Sequence, residues 1–158
     1  MAPLLHALQN SAFAAWVVGS ESIWAYPMIL TLHTVGLGIV VGAAVVLDLR
    51  LLGVGPGIPI EEVKRVFPVF WFGFFINLIS GVMLFVSEAE DKGTQPVFLL
   101  KLTLVALGVI VTARIRRVLF GRGGTAVAPT PNPRALAMSS LVIWAGAIVA
   151  GRLMAYLK

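Results

Sequence analysis

Two sets of ionisable residues sit inside otherwise apolar stretches of this chain. One is His33, Lys101 and Arg152, with Tyr26, Glu21 and Glu88 near the same level; the other is Asp48, Arg50 and Arg114. An ionisable group at membrane depth costs about 2.5 to 3.5 kcal/mol on insertion scales, so each asks for a partner or a function.

The first set supports three chemistries. Haem b needs an imidazole axial ligand in an apolar slot, small residues where the porphyrin approaches, and cations or hydroxyls for its propionates. His33 with Gly36, and Lys101 or Arg152 with Tyr26, meet those needs, but the only other histidine in the sequence is His6. Either the haem is five-coordinate, or a second ligand comes from Met28 or Met83, from a partner's histidine, or from an N-terminal segment folded inward. A quinone is the second candidate, its carbonyls hydrogen-bonded by His33 with Lys101 or a carboxylate. A metal site or proton path is the third, and it is poorly supplied with ligands. Against all three stands a structural reading: His33 bonds a neighbouring helix, while Lys101 and Arg152 pair with Glu88 and Glu21 or extend to headgroups.

The second set has a simpler expectation. An Asp48 to Arg114 ion pair, with Arg50 reaching headgroups, accounts for all three residues structurally. No Ser/His/Asp set at a shared depth, phosphate loop or paired carboxylates with an apolar pocket appear in the sequence, so catalysis by this chain alone is not expected.

These residues must be positioned by lipid-embedded helices. The 158 residues are 59% hydrophobic and 12% charged, with a mean hydropathy of +0.97, outside the range of a water-soluble domain. Each of four apolar runs can cross a hydrocarbon core of about 30 Å, and none carries the polar stripe of a soluble bundle. The sequence predicts an all-α, integral-membrane four-helix bundle in one domain, 1–158, with spans over about 22–53, 66–88, 96–120 and 134–157. Residues 3–18 predict one short amphipathic helix on the membrane surface, with Leu5, Leu8, Ala12 and Trp16 on one face. That segment carries no Lys or Arg and does not read as a removable signal peptide.

Small residues at four-residue spacing predict the packing faces: Gly38 and Gly42 on the first span, Gly73, Asn77 and Gly81 on the second, Gly146 and Ala150 on the fourth. The same faces would serve a homo-oligomer. The net charge of +5 is a topology signal, because eight of twelve Lys and Arg residues fall in or beside the connections after spans one and three. The positive-inside rule puts those connections in the cytoplasm and both termini outside, leaving no expectation of a nucleic-acid partner. The absence of cysteine removes disulfides and thiolate metal sites.

The pattern Glu21-x-x-Trp24-x-Tyr26-Pro27, His33-x-x-Gly36, Gly42 and Leu47-Asp48-Leu49-Arg50-Leu51-Leu52-Gly53 resembles an uncharacterised family of small bacterial inner-membrane proteins. Trp71-x-Gly73-Phe74, Ser80-Gly81, Phe98-x-x-Lys101 and Gly151-Arg152 with Tyr156 continue the resemblance over nearly the whole chain. It implies a bacterial inner-membrane setting and picks out His33, Asp48, Arg50, Lys101 and Arg152 without giving them roles. The four-helix plan is more distantly similar to copper-resistance D proteins and membrane b-type cytochromes, although the paired histidines that hold two haems are lacking. The expectation is a small subunit or accessory of a larger bacterial membrane assembly, respiratory or otherwise redox, surrounded by lipid and by other subunits or copies of itself. A haem b or quinone-binding electron-transfer protein centred on His33 is the alternative, and a small transporter a further one.

Overall fold

The computed structural model describes residues 2–121, 132–154 and 156. Most of the cytoplasmic loop expected over 121–134, including Arg122, and the terminal Lys158 lie outside them.

Four helices are long and apolar enough to span a membrane, making this a multi-pass membrane protein with an all-α bundle. In chain order the described elements are α1 (Ala2–Gln9), α2 (Ala12–Gly19), α3 (Tyr26–Leu51), α4 (Ile60–Lys64), α5 (Val66–Ser87), α6 (Ala89–Gly93), α7 (Pro96–Phe120) and α8 (Pro133–Leu153). Local chemistry sets the ends. Pro27, Pro96 and Pro133 each occupy the first turn of a span, where a missing N–H leaves no hydrogen bond unmade. Asn132 caps α8 by accepting from the Ala135 N–H at 3.1 Å. The end of α3 is a Schellman turn: Gly53 takes φ +90°, its N–H reaches Arg50 O at 3.2 Å, and the Val54 N–H reaches Leu49 O at 2.9 Å.

Helix α3 is the hub. It packs along α5, its antiparallel neighbour, and also against α8, which forms a second antiparallel pair with α7. Glycines decide where helices approach closely. A Cβ on Gly36 would stand 2.8 Å from the Asn77 nitrogen, one on Gly73 would stand 2.6 Å from Ile39 Cγ2, and one on Gly108 would stand 2.8 Å from the Trp144 ring. The stripe expected on the second span is therefore a packing face. The Gly38 and Gly42 stripe makes no such contact among the described residues: a Cβ on either would meet no neighbouring helix within 4 Å. Gly36, two residues from Gly38 and so on another side of the helix, makes the contact instead.

Two core clusters fill the bundle. Val40, Ala43, Ala44, Phe70, Trp144 and Ala147 form one; Leu47, Val63, Phe67 and Ile115 form the other, toward the end that carries α4. Helices α5 and α7 are bridged by aromatic pairs at both ends, Phe85 stacked on Phe98 at 5.0 Å and Phe67 edge-on to Phe120 at 5.5 Å.

The single surface helix expected over 3–18 is two helices. Ser11 ends one and starts the other, its side chain accepting from the Ala14 N–H at 3.2 Å, while Asn10 turns back onto His6 O. Both dock on the bundle end that carries α6. Gln9 Oε1 accepts from the Glu90 N–H at 2.7 Å, and Leu5 covers Gly93. Ala14 and Val17 are buried, leaving Phe13, Trp16, Val18, Ile23 and Trp24 exposed as an apolar rim suited to the membrane interface.

Candidate functional site

Between the four spans, at the end that carries α1, α2 and α6, lies a cleft of about 430 Å³. Each span supplies part of its lining: Tyr26 and His33 from α3, Gly81 from α5, Lys101 from α7, and Gly151 and Arg152 from α8. Leu30, Leu84, Phe85 and Phe98 make the walls apolar, while Glu88, Lys92 and Arg152 add charge. Tyr26, His33, Lys101 and Arg152, scattered over more than 120 positions in sequence, thus share one cavity. Gly36 does not line it; it lies a turn deeper, buried against Asn77.

The His33 imidazole is fixed by α5. Its Nδ1 lies 3.0 Å from the backbone oxygen of Asn77 and 3.2 Å from Ser80 Oγ. A carbonyl oxygen only accepts, so Nδ1 carries the hydrogen. Asn77 Nδ2 donates to His33 O at 2.8 Å, closing a reciprocal pair across the α3–α5 contact. The absence of a Cβ on Gly81 makes room for the ring, since a Cβ there would stand 3.0 Å from His33 Cε1. Ser80 Oγ donates to Ile76 O at 2.6 Å, which turns its lone pairs toward the imidazole.

The other ring nitrogen, Nε2, stands 3.4 Å from Lys101 Nζ. An ammonium has donors and no acceptor, so Nε2 presents its lone pair and the imidazole is neutral. Lys101 takes no part in the ion pairs among the described residues; Glu88 pairs instead with Lys92 at 3.6 Å. Arg152 lies over the Tyr156 ring at 5.9 Å. The expected pairing of Lys101 and Arg152 with Glu88 and Glu21 is therefore replaced by Lys101 on His33, Lys92 on Glu88 and Arg152 on an aromatic face. Lys92 also donates to Met154 O at 3.1 Å, tying α6 to the end of α8. With three cations against one carboxylate, the cleft favours a ligand with electron-rich or anionic oxygens.

Haem fits this arrangement poorly. His6, the only other histidine, is bonded to Asn10 just past the end of α1 and is not among the residues that line the cleft, so the chain brings no second imidazole to it. No group of three or more His, Cys, Asp or Glu suited to a metal ion occurs among the described residues.

At the other end of the bundle the expected ion pair is not formed. Asp48 is fully buried and both of its carboxylate oxygens lack a hydrogen-bond partner. Arg114 is exposed on α7, and Arg50 donates to Gly55 O at 2.7 Å. Helical geometry explains the mismatch: Asp48 turns inward with Leu47, whereas Arg114 precedes the inward-facing Ile115 and lies on α7's outer side.

Comparisons with protein-family models, with curated proteins and with solved structures find no match to this chain.

Proposed function

We propose that this is a bacterial inner-membrane protein that binds a quinone-class ring in the cleft between its four spans, working as a small electron-transfer or accessory subunit of a larger membrane assembly. One observation carries the reading: at the floor of an apolar cleft, His33 Nε2 offers an acceptor and Lys101 Nζ a donor 3.4 Å apart. A quinone carbonyl takes a hydrogen bond from Lys101; the hydroxyl of the reduced ring gives one to His33. The walls of Leu30, Leu84, Phe85 and Phe98 suit the ring and its prenyl tail. Fixing His33 on Asn77 O holds the acceptor in place before the ligand arrives, which lowers the ordering cost of binding.

The positive-inside rule puts the basic connections in the cytoplasm and the cleft in the outer half of the bilayer, with both termini outside. A quinone reaches such a cleft laterally from the lipid. The resemblance to small bacterial inner-membrane proteins supports the same setting.

Two measurements on the purified protein test this together: chromatography of an organic extract for copurified quinone, and a reduced-minus-oxidised absorbance spectrum. The reading predicts near-stoichiometric quinone in the wild type, its loss in His33→Phe, and no Soret band. A Soret band lost with His33 would replace the quinone by haem.

A further inference from the structure

A second polar site lies in the other half of the bundle, independent of the cleft. The ring of Trp144 on α8 lies against Gly108 on α7, setting the register of these antiparallel helices. One turn further, toward the end that carries α4, are Thr112 on α7 and Ser140 on α8. Trp144 also packs with Ala44 of α3, one turn before Asp48, so three helices bring Asp48, Thr112 and Ser140 to one level. Their relative exposures are 0%, 3% and 0%. Leu47 and Ile115, with Leu136 beside them, seal the site on the side toward α4.

None of these groups is satisfied. Both carboxylate oxygens of Asp48, Thr112 Oγ1 and Ser140 Oγ lack a hydrogen-bond partner. Ser140 is the polar neighbour that acts on the Asp48 carboxylate, but no bond of ordinary geometry joins them. The two hydroxyls are also unlike others in the same spans. Thr31, Thr34, Ser80, Ser87, Thr103 and Ser139 all donate to a carbonyl of their own helix three or four residues back. Thr112 and Ser140, more buried than most of these, forgo that bond and leave their oxygens unpaired.

A buried carboxylate needs a compensating charge, and neither Arg50 nor Arg114 supplies it. Four oxygens from three helices, with no nitrogen or sulfur donor, suit a hard cation. A single carboxylate matches a single positive charge, since a divalent ion would leave net charge buried. With no hydrogen bond formed by either carboxylate oxygen or by either hydroxyl, all four oxygens are available to an ion. We propose that Asp48, Thr112 and Ser140 form a buried binding site for an alkali cation of sodium size.

The test is thermal unfolding of the purified protein in detergent at fixed pH, with NaCl replacing choline chloride at constant ionic strength. The site predicts a saturable rise of the midpoint with sodium, because a ligand that binds only the folded state stabilises it. The rise should be lost in Asp48→Asn, which keeps the size of the side chain, and weakened at least tenfold in midpoint concentration in Ser140→Ala. Direct binding of radioactive sodium to the wild type needs no variant; it should be displaced by unlabelled sodium and not by choline. Absence of saturable sodium binding would overturn the site. So would a sodium response retained in Asp48→Asn, or a midpoint that follows pH alone, which would make Asp48 a buried protonated acid.

Discussion

Lys101 Nζ lies 3.4 Å from His33 Nε2, two basic side chains from different helices facing one another with no carboxylate between them. The arrangement is sustained because His33 is neutral, its only N–H committed to Asn77 O. Lys101→Met should leave the fold unchanged and weaken binding of a short-chain quinone analogue by tenfold or more, the cost of about one charge-assisted hydrogen bond. Equilibrium binding in nanodiscs checks this. An unchanged affinity would take Lys101 out of the site.

The reciprocal His33–Asn77 bonds hold α3 to α5 as well as orienting the imidazole. Asn77→Leu leaves the His33 carbonyl without its side-chain donor and should destabilise the bundle by about 1 kcal/mol, the usual size for an interhelical hydrogen bond in lipid. Unfolding in mixed micelles measures it. The same variant keeps the Asn77 backbone oxygen that accepts from His33 Nδ1, so ligand affinity should fall less than in His33→Phe.

The glycines divide into two classes. Gly73→Leu and Gly108→Leu put side chains where Ile39 and Trp144 already stand, and should destabilise by at least about 2 kcal/mol through overpacking. A Cβ at Gly38 or Gly42 meets nothing among the described residues, so Gly38→Leu and Gly42→Leu should leave the chain's own unfolding within about 1 kcal/mol of the wild type. A reversed order of sensitivity would contradict the α3–α5 and α7–α8 contacts.

Because the chain has no cysteine, single-cysteine variants report topology cleanly. Thr94→Cys, beside the cleft end, should react with an impermeant maleimide added outside intact cells, and Gly57→Cys only after the membrane is opened. The opposite pattern would invert the orientation.

Much of this architecture is legible in the sequence, because lipid imposes long apolar spans and leaves each ionisable residue conspicuous. His33, Lys101, Tyr26 and Arg152 could be brought together by depth alone. Depth does not give azimuth, and the failures follow from that. Gly38 and Gly42 have the spacing of a packing face, yet Gly36 makes the contact. Asp48 and Arg114 share an end of the bundle but point to different sides of their helices. Asn77, which anchors His33, was visible only as part of a small-residue stripe. Ser80 and Gly81 acquire their roles from the ring that lies against them. The break at Ser11 did carry a signal, a capping serine three residues before the N–H it accepts.

The central claim is that the cleft holds a quinone-class ring between His33 and Lys101. The most direct measurement is a titration of the protein in nanodiscs with a labelled short-chain quinone, comparing the wild type with His33→Phe and Lys101→Met. The account predicts one saturable site per chain, with affinity reduced at least tenfold in each variant while thermal unfolding shows both still folded. Equal affinity in all three proteins, or no saturable binding to the wild type, would contradict it.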